Sequence, residues 1–187
     1  MSEWRERVSG FAEAPYAYEY ATLFDLISLA RGKKDALIVA LDHITDAGNM
    51  GAVLRSAEVV GATGVLIPNK RAAPVNEAVY RASAGAVEYL KVAREANLVS
   101  ALKRLKEEDF WIAGATEHAR QDIWQAPLEG RIVLVMGAED TGLSRLVRET
   151  CDFELKLPQS GFTPSLNVAQ AATAIMYEWL RRAQCTP

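Results

Sequence analysis

The sequence predicts an α/β domain with a mostly parallel sheet and helices on both of its faces. Short apolar, β-branched runs recur along the chain at ALIVAL (36–41), GVLIP (64–68), FWIAGAT (110–116), RIVLVMG (131–137) and FELKLP (153–158). Several of these runs are continuous rather than alternating, as strands covered on both faces are. Helical patterns fall between them, and strands alternating with helices are what a parallel sheet requires.

Residues 1–35 read as a short N-terminal helical extension, in which Trp4, Val8 and Phe11 fall at helical spacing. Thr22 is placed to cap a helix running through Arg31 and ended by Gly32. After the first strand a helix is predicted over 49–60, with Gly61 as its C-terminal stop. Asn97 is placed to cap a helix that carries Leu98, Leu102 and Leu105 on one face and Lys and Glu on the other. Gly142 to Thr150 reads as a short helix, and Leu166 to Ala183 as a long final one. There is no internal repeat and no Gly/Ser linker, so residues 36–187 are expected to form one domain.

Composition bounds the class but not the activity. Of 187 residues, 50% are hydrophobic and 24% charged, the ordinary balance of a soluble protein. No apolar run approaches the roughly 20 residues that span a bilayer, and the N-terminus carries no apolar secretory core. Cys151 and Cys185 are far apart and have no metal-ligand spacing, so no metal and a reducing, cytoplasmic location are expected. The net charge of -3 argues against a chain coated in positive charge, though not against a local basic patch.

The segment after the first strand, LDHITDAGNMGAVLRSA, lacks GxGxxG, and the second strand closes on Ile67 and Pro68 rather than an acid. This speaks against a dinucleotide-binding oxidoreductase. Walker, GxSxG and HExxH patterns are absent as well. Instead, three glycine-containing segments follow strands, where open α/β sheets bind ligands. They are DAGNMGAVLRSA from Asp46, MGAEDTGLSRLV from Met136, and LPQSGFTPSLNVAQAATAIMYEWL from Leu157. Small residues there let a ligand or another backbone come close.

In order and wording these segments resemble the three motifs of the SpoU/TrmH family of SPOUT RNA methyltransferases. The first motif, N-x-G followed by Arg, is matched by Asn49, Gly51 and Arg55. The second, G-x-E-x-x-G, is matched by Gly137, Glu139 and Gly142. The third is matched by Pro158, Gly161, Ser165, Leu166, Asn167 and Val168. ASAGAVEYLKV, around Ser83 to Gly85, is similar to the ribosomal-RNA branch, and the likeness runs from near Ala36 to Arg182. The chain departs from the family at Ala47, where a proline is usual, at Gln159 for a common Met, and at Ala169–Gln170 for Ser-Val.

The resemblance implies a sheet whose C-terminal part is threaded into a deep trefoil knot, a homodimer, and methyl transfer from S-adenosylmethionine to a ribose 2′-hydroxyl of rRNA or tRNA. It implies cofactor contacts near Ala115, Thr116, Gly137, Leu157, Leu166 and Asn167, and catalytic roles for Arg55, Asn49, Glu139, Ser165 and Asn167. Each residue also has a plainer reading. Arg55 suits a surface ion pair as well as a phosphate. Asn49 and Ser165 suit helix caps. Glu139 suits either a helix N-terminus or a carboxylate holding Arg55 or a partner subunit. The apolar stripe of the last helix (Ala171, Ala172, Ile175, Met176, Trp179) suits a dimer surface or a core. His43 and His118 match no motif and read as surface or packing residues.

Methyl transfer is an in-line displacement in which positioning is most of the task. The 2′-hydroxyl is a weak nucleophile and needs help with its proton or its developing charge. Family mechanisms give the proton to the arginine matched by Arg55, yet a guanidinium stays protonated, with a pKa of roughly 12 or above. Arg55 is therefore expected to fix a phosphate and stabilise alkoxide-like charge, with a phosphate oxygen taking the proton. With only about 35 residues ahead of the first strand, RNA contacts are expected from the catalytic domain, the lead-in or a partner, with Arg31, Lys33, Lys34, Lys70 and Arg71 as candidates or as solvated charges. A non-catalytic RNA- or ribosome-binding member of the same fold is the alternative reading.

Overall fold

The alternation of runs is realised in strands β1 (Ala36–Asp42), β2 (Gly64–Pro68), β3 (Val92–Glu95), β4 (Trp111–Ala115), β5 (Arg131–Gly137) and β6 (Phe153–Leu155). They form one six-stranded sheet in the order β3-β2-β1-β5-β4-β6, every neighbouring pair parallel. The structure is a computed structural model describing residues 18–163 and 165–185; the helical spacing of Trp4, Val8 and Phe11 lies outside the described residues.

All seven residues of β1 are buried, as a central parallel strand demands. The two-residue period of the strand then sorts them by face. Leu37, Val39 and Leu41 pack with helices α2 (Ala47–Val59), α3 (Glu77–Ala82) and α6 (Val168–Cys185). Ala36, Ile38 and Ala40 pack with α1 (Leu23–Ala30), α4 (Leu98–Glu107) and α5 (Arg145–Thr150) on the other face. Each fully buried Leu or Ile in these layers contributes about 1.5–3 kcal/mol relative to an exposed one.

The predicted caps hold for α1 and α4. Thr22 and Asp25 form a reciprocal capping box, and Asn97 accepts from the backbone of Ser100. α1 buries Leu23, Leu26, Ile27 and Ala30 in the core. Two elements escape the periodicity. β3 has only Val92 and Ala93 buried, because it is an edge strand, and α3 has only Val79 and Tyr80. FELKLP pairs with β4 only as far as Leu155; Lys156 turns away and exchanges backbone hydrogen bonds with Gln121 and Ile123 instead.

The apolar stripe of α6 faces the core. Ala172, Ile175, Met176 and Trp179 are at most 5% exposed, so these side chains are not available as a dimer surface. Behind them Glu178, 7% exposed, binds Arg181 and Arg182 at 2.8 Å. Hydrogen bonds from Arg181, ahead of those from Arg182, bring its carboxyl down to about 2 despite the opposing effect of burial. A depressed carboxyl stabilises the fold above its unfolded value of 4.5, and that stabilisation is lost as pH falls toward about 2. Glu178→Gln is expected to lower the melting midpoint at neutral pH by about 2–4 °C. The difference from wild type should close across that acid window in thermal unfolding followed by circular dichroism. Among the described residues, no helix is long and apolar enough to cross a membrane.

Candidate active site

Register places the functional loops side by side. Asp42, the last residue of β1, is opposite Gly137, the last of β5, so the first two glycine-containing segments leave the sheet as neighbours. Asp42 is 1% exposed and accepts from the backbone N–H of Ser144 at 2.7 Å, with His43 Nδ1 also at 2.7 Å. A buried carboxylate thus ties the end of β1 to the start of α5. His43 occupies the left-handed region (φ 67°), where a His is tolerated better than a branched residue.

The first segment opens α2 differently from the sequence expectation. Asp46, not Asn49, is the N-cap, and its carboxylate accepts from the Asn49 backbone at 2.7 Å. Asn49 is the third residue of the helix, which leaves its amide free to reach across the site. Gly51, two residues on, lies so close to Ala82 and Ser83 that a Cβ would sit 2.4 Å from the Ala82 methyl. The ASAG segment is therefore the buttress of α2, with Ser83 fully buried beneath it.

In the second segment the chain doubles back, Ala138 and Gly142 exchanging backbone hydrogen bonds of 3.2 and 2.8 Å. The turn carries Glu139. In the third, Asn167 rather than Ser165 caps the final helix, accepting from Ala169 (2.9 Å) and Gln170 (3.4 Å). The three segments meet at Glu139. Its Oε1 accepts from Asn49 Nδ2 at 3.2 Å, from Asn167 Nδ2 at 2.7 Å and from the Val168 backbone at 3.4 Å. Asn167 Nδ2 also donates to Asn49 Oδ1 at 2.7 Å. Glu139 holds these two amides, and Arg55 is not among its partners.

Beside this cluster lies a cleft of about 250 Å³ at the carboxyl ends of β4, β5 and β6. Ala115, Thr116, Gly137, Leu157 and Leu166 line it, and Asn167 stands next to Leu166 without lining it. Of the predicted catalytic residues, Glu139 and Ser165 line the cleft. Arg55 does not: it is exposed on α2, six residues or about 9 Å of helix rise beyond Asn49. It makes no hydrogen bond or ion pair with any described residue.

The cleft also takes in His118, Lys156 and Arg148, which carried no motif signal. Arg148 is held by Glu154 through paired hydrogen bonds, which raise the guanidinium and lower the carboxyl. Cys151 is half-buried, and burial pushes its thiol up to about 12, so it is not a nucleophile near neutral pH.

Fold and cleft together define an open-sheet α/β ligand-binding domain, its site assembled at the carboxyl ends of parallel strands. Residues 36–177 match the SpoU rRNA Methylase family, and the chain belongs to that family. It is 41% identical over 167 residues to YacO of Bacillus subtilis, a protein assigned by name to the TrmH family of tRNA/rRNA methyltransferases; the match covers 89% of this chain and 67% of that one. It is 39% identical to the 23S rRNA (guanosine-2′-O-)-methyltransferase RlmB of Pseudomonas putida, over 83% of this chain and 63% of that one. Among solved structures it is similar to the SpoU methyltransferase AviRb of Streptomyces viridochromogenes in complex with AdoMet. That match has a TM-score of 0.76 and 31% identity, over 84% of this chain and 64% of AviRb. The chain thus spans about two thirds or less of the length of these relatives.

Proposed function

We propose that residues 36–187 are the catalytic domain of an S-adenosylmethionine-dependent RNA methyltransferase that methylates a ribose 2′-hydroxyl of rRNA, 23S in particular, or of tRNA. The observation that carries the reading is the convergence of Asn49 and Asn167 on Glu139 at the side of the cleft. The residues fit the cofactor. Leu157, Leu166 and Ile175 offer apolar surface for an adenine, and the turns at 115–118 and 137–142 bring backbone polar groups to the same space. When bound, S-adenosylmethionine supplies a methyl group activated by its sulfonium.

The chain's own residues then have distinct tasks. Glu139 fixes the two amides, so that Asn167 both caps α6 and presents its side chain beside Leu166. Ser165, which lines the cleft, is assigned to the ribose. Arg55 is a free guanidinium that fixes a phosphate and stabilises the charge developing on the attacking oxygen, a phosphate oxygen taking the proton. This reading goes with a cytoplasmic site of action and with the C-terminal trefoil knot. It also goes with a homodimer that completes the site across the interface, through surface other than the buried stripe of α6.

The test combines calorimetry with S-adenosylmethionine and a methylation assay. Wild type is expected to bind the cofactor; no binding would favour an RNA-binding protein without catalysis. Arg55→Ala is expected to retain cofactor binding and to lose turnover by about 10²-fold or more. Unchanged turnover would remove Arg55 from the mechanism.

A further inference from the structure

Most cations with resolved partners are committed to carboxylates. Arg81 pairs with Glu77, Arg145 with Glu149, Arg148 with Glu154, Lys106 with Asp152, and Arg181 and Arg182 with Glu178. Lys70 and Arg71, on the loop between β2 and α3, have no such carboxylate, as is also true of Arg55, Lys103, Arg104 and Arg120. Lys70 and Arg71 are both exposed, and neither makes a hydrogen bond or ion pair with any described residue.

The loop that carries them is strapped down on either side of them. Asn69 donates its N–H to Glu95 O at 2.8 Å, and Arg94 donates to Asn69 O at 2.8 Å while lying over the Tyr20 ring at 5.0 Å. Ala73 donates to Ile44 O at 2.9 Å, which fastens the loop to the segment leading into Asp46 and Asn49. Val75 donates to the Tyr20 hydroxyl at 2.8 Å. Two unpaired cations are therefore held on a fixed backbone beside the first motif, at the same edge of the sheet as the cleft. A preset loop loses little freedom on binding a ligand.

Arg71 also sits in the left-handed region, with φ 57°. A residue with a Cβ holds that conformation at a cost of roughly 1 kcal/mol or more, whereas glycine holds it freely. An arginine there sets a strained backbone beneath an unpaired charge, a combination expected where the charge binds something.

We infer that Lys70 and Arg71 form a phosphate anchor for the RNA strand that enters the site past Asn49. The inference rests on the proposed RNA substrate. It also separates two basic clusters that the sequence left equivalent. Arg31, Lys33 and Lys34 precede β1 and so lie at the opposite edge of the sheet, seven strand residues or about 23 Å away. They lie at the end of the sheet away from the cleft.

The test measures binding of a mixed-sequence stem–loop RNA across a salt series, with S-adenosylmethionine binding recorded separately. Lys70→Ala/Arg71→Ala is expected to weaken RNA binding by about 10-fold and to flatten the salt slope by about 1–2, with cofactor binding unchanged. Lys33→Ala/Lys34→Ala should change neither. Arg71→Gly is the sharper variant: its melting midpoint should hold or rise while RNA affinity falls, which a purely structural arginine would not produce. Unchanged affinity in the first variant, or an equal loss in the second, would overturn the anchor. Failure of wild type to bind S-adenosylmethionine, with the RNA effects intact, would instead overturn methyl transfer and leave the anchor standing.

Discussion

Glu139→Ala is expected to cut turnover by about 10²-fold or more while moving the melting midpoint by only a few degrees. The asymmetry follows from where the carboxylate sits. It is exposed, so water can satisfy the amides of Asn49 and Asn167 when the acceptor is removed, and little stability is lost. What water cannot do is hold the first and third segments in one geometry. Without Oε1, Asn49 Nδ2 loses its acceptor, only the 2.7 Å bond from Asn167 Nδ2 to Asn49 Oδ1 still ties the two side chains to each other, and the Val168 N–H loses its side-chain acceptor. Displacements of about 1 Å at a reacting centre can cost 10²-fold in rate. Glu139→Gln keeps an acceptor oxygen and should fall between alanine and wild type. Steady-state methylation with RNA and cofactor varied separately checks the order; equal turnover in all three proteins would deny Glu139 a positioning role.

Gly137→Ala should have the largest effect on the fold of the site. A Cβ at this position would lie 2.2 Å from the Gly142 carbonyl carbon and 2.4 Å from both the Gly142 oxygen and the Leu143 nitrogen. All three are backbone atoms of a closed turn, so no flexible side chain can give way. The turn must open, at a cost of about 3 kcal/mol or more, or roughly 6–12 °C in melting midpoint. Because Gly137, Gly142 and Leu143 all line the cleft, cofactor binding should be lost with it. Gly142→Ala separates space from conformation. Nothing lies within 4 Å of a Cβ there, but φ is 63°, so only the left-handed penalty of about 1 kcal/mol applies. Calorimetry and thermal unfolding of the two variants check this; equal effects would show that crowding at Gly137 is not what shapes the turn.

By itself the sequence determined the layers and the place of the site. Hydrophobic continuity over ALIVAL and RIVLVMG is a local property, and a strand buried on both faces can be read from it without knowing its neighbours. Thr22 and Asn97 acted as caps because capping spans only three or four residues. The three motif segments announced a site because glycine and small residues record a close approach in the chain itself.

The tertiary structure decided what depends on residues distant in the chain. β3 and α3 bury too few side chains to show a period, and they exist because β2 and α2 offer them an edge and a face. Asn49 was free for the site only because Asp46 took the cap. Glu139 turned out to serve Asn49 and Asn167, 90 and 28 residues away, a pairing that no spacing encodes. The stripe on α6 could have faced a partner or the core, and only packing against β5 and α2 settled that it is core. Asp42, just past the apolar run ALIVAL, is a buried tie between two loops, which its neighbours in the chain do not announce. In each case the physical reason is the same. Helical and strand periods are written locally, whereas which face meets which, and which carboxylate meets which amide, is set when the chain closes on itself.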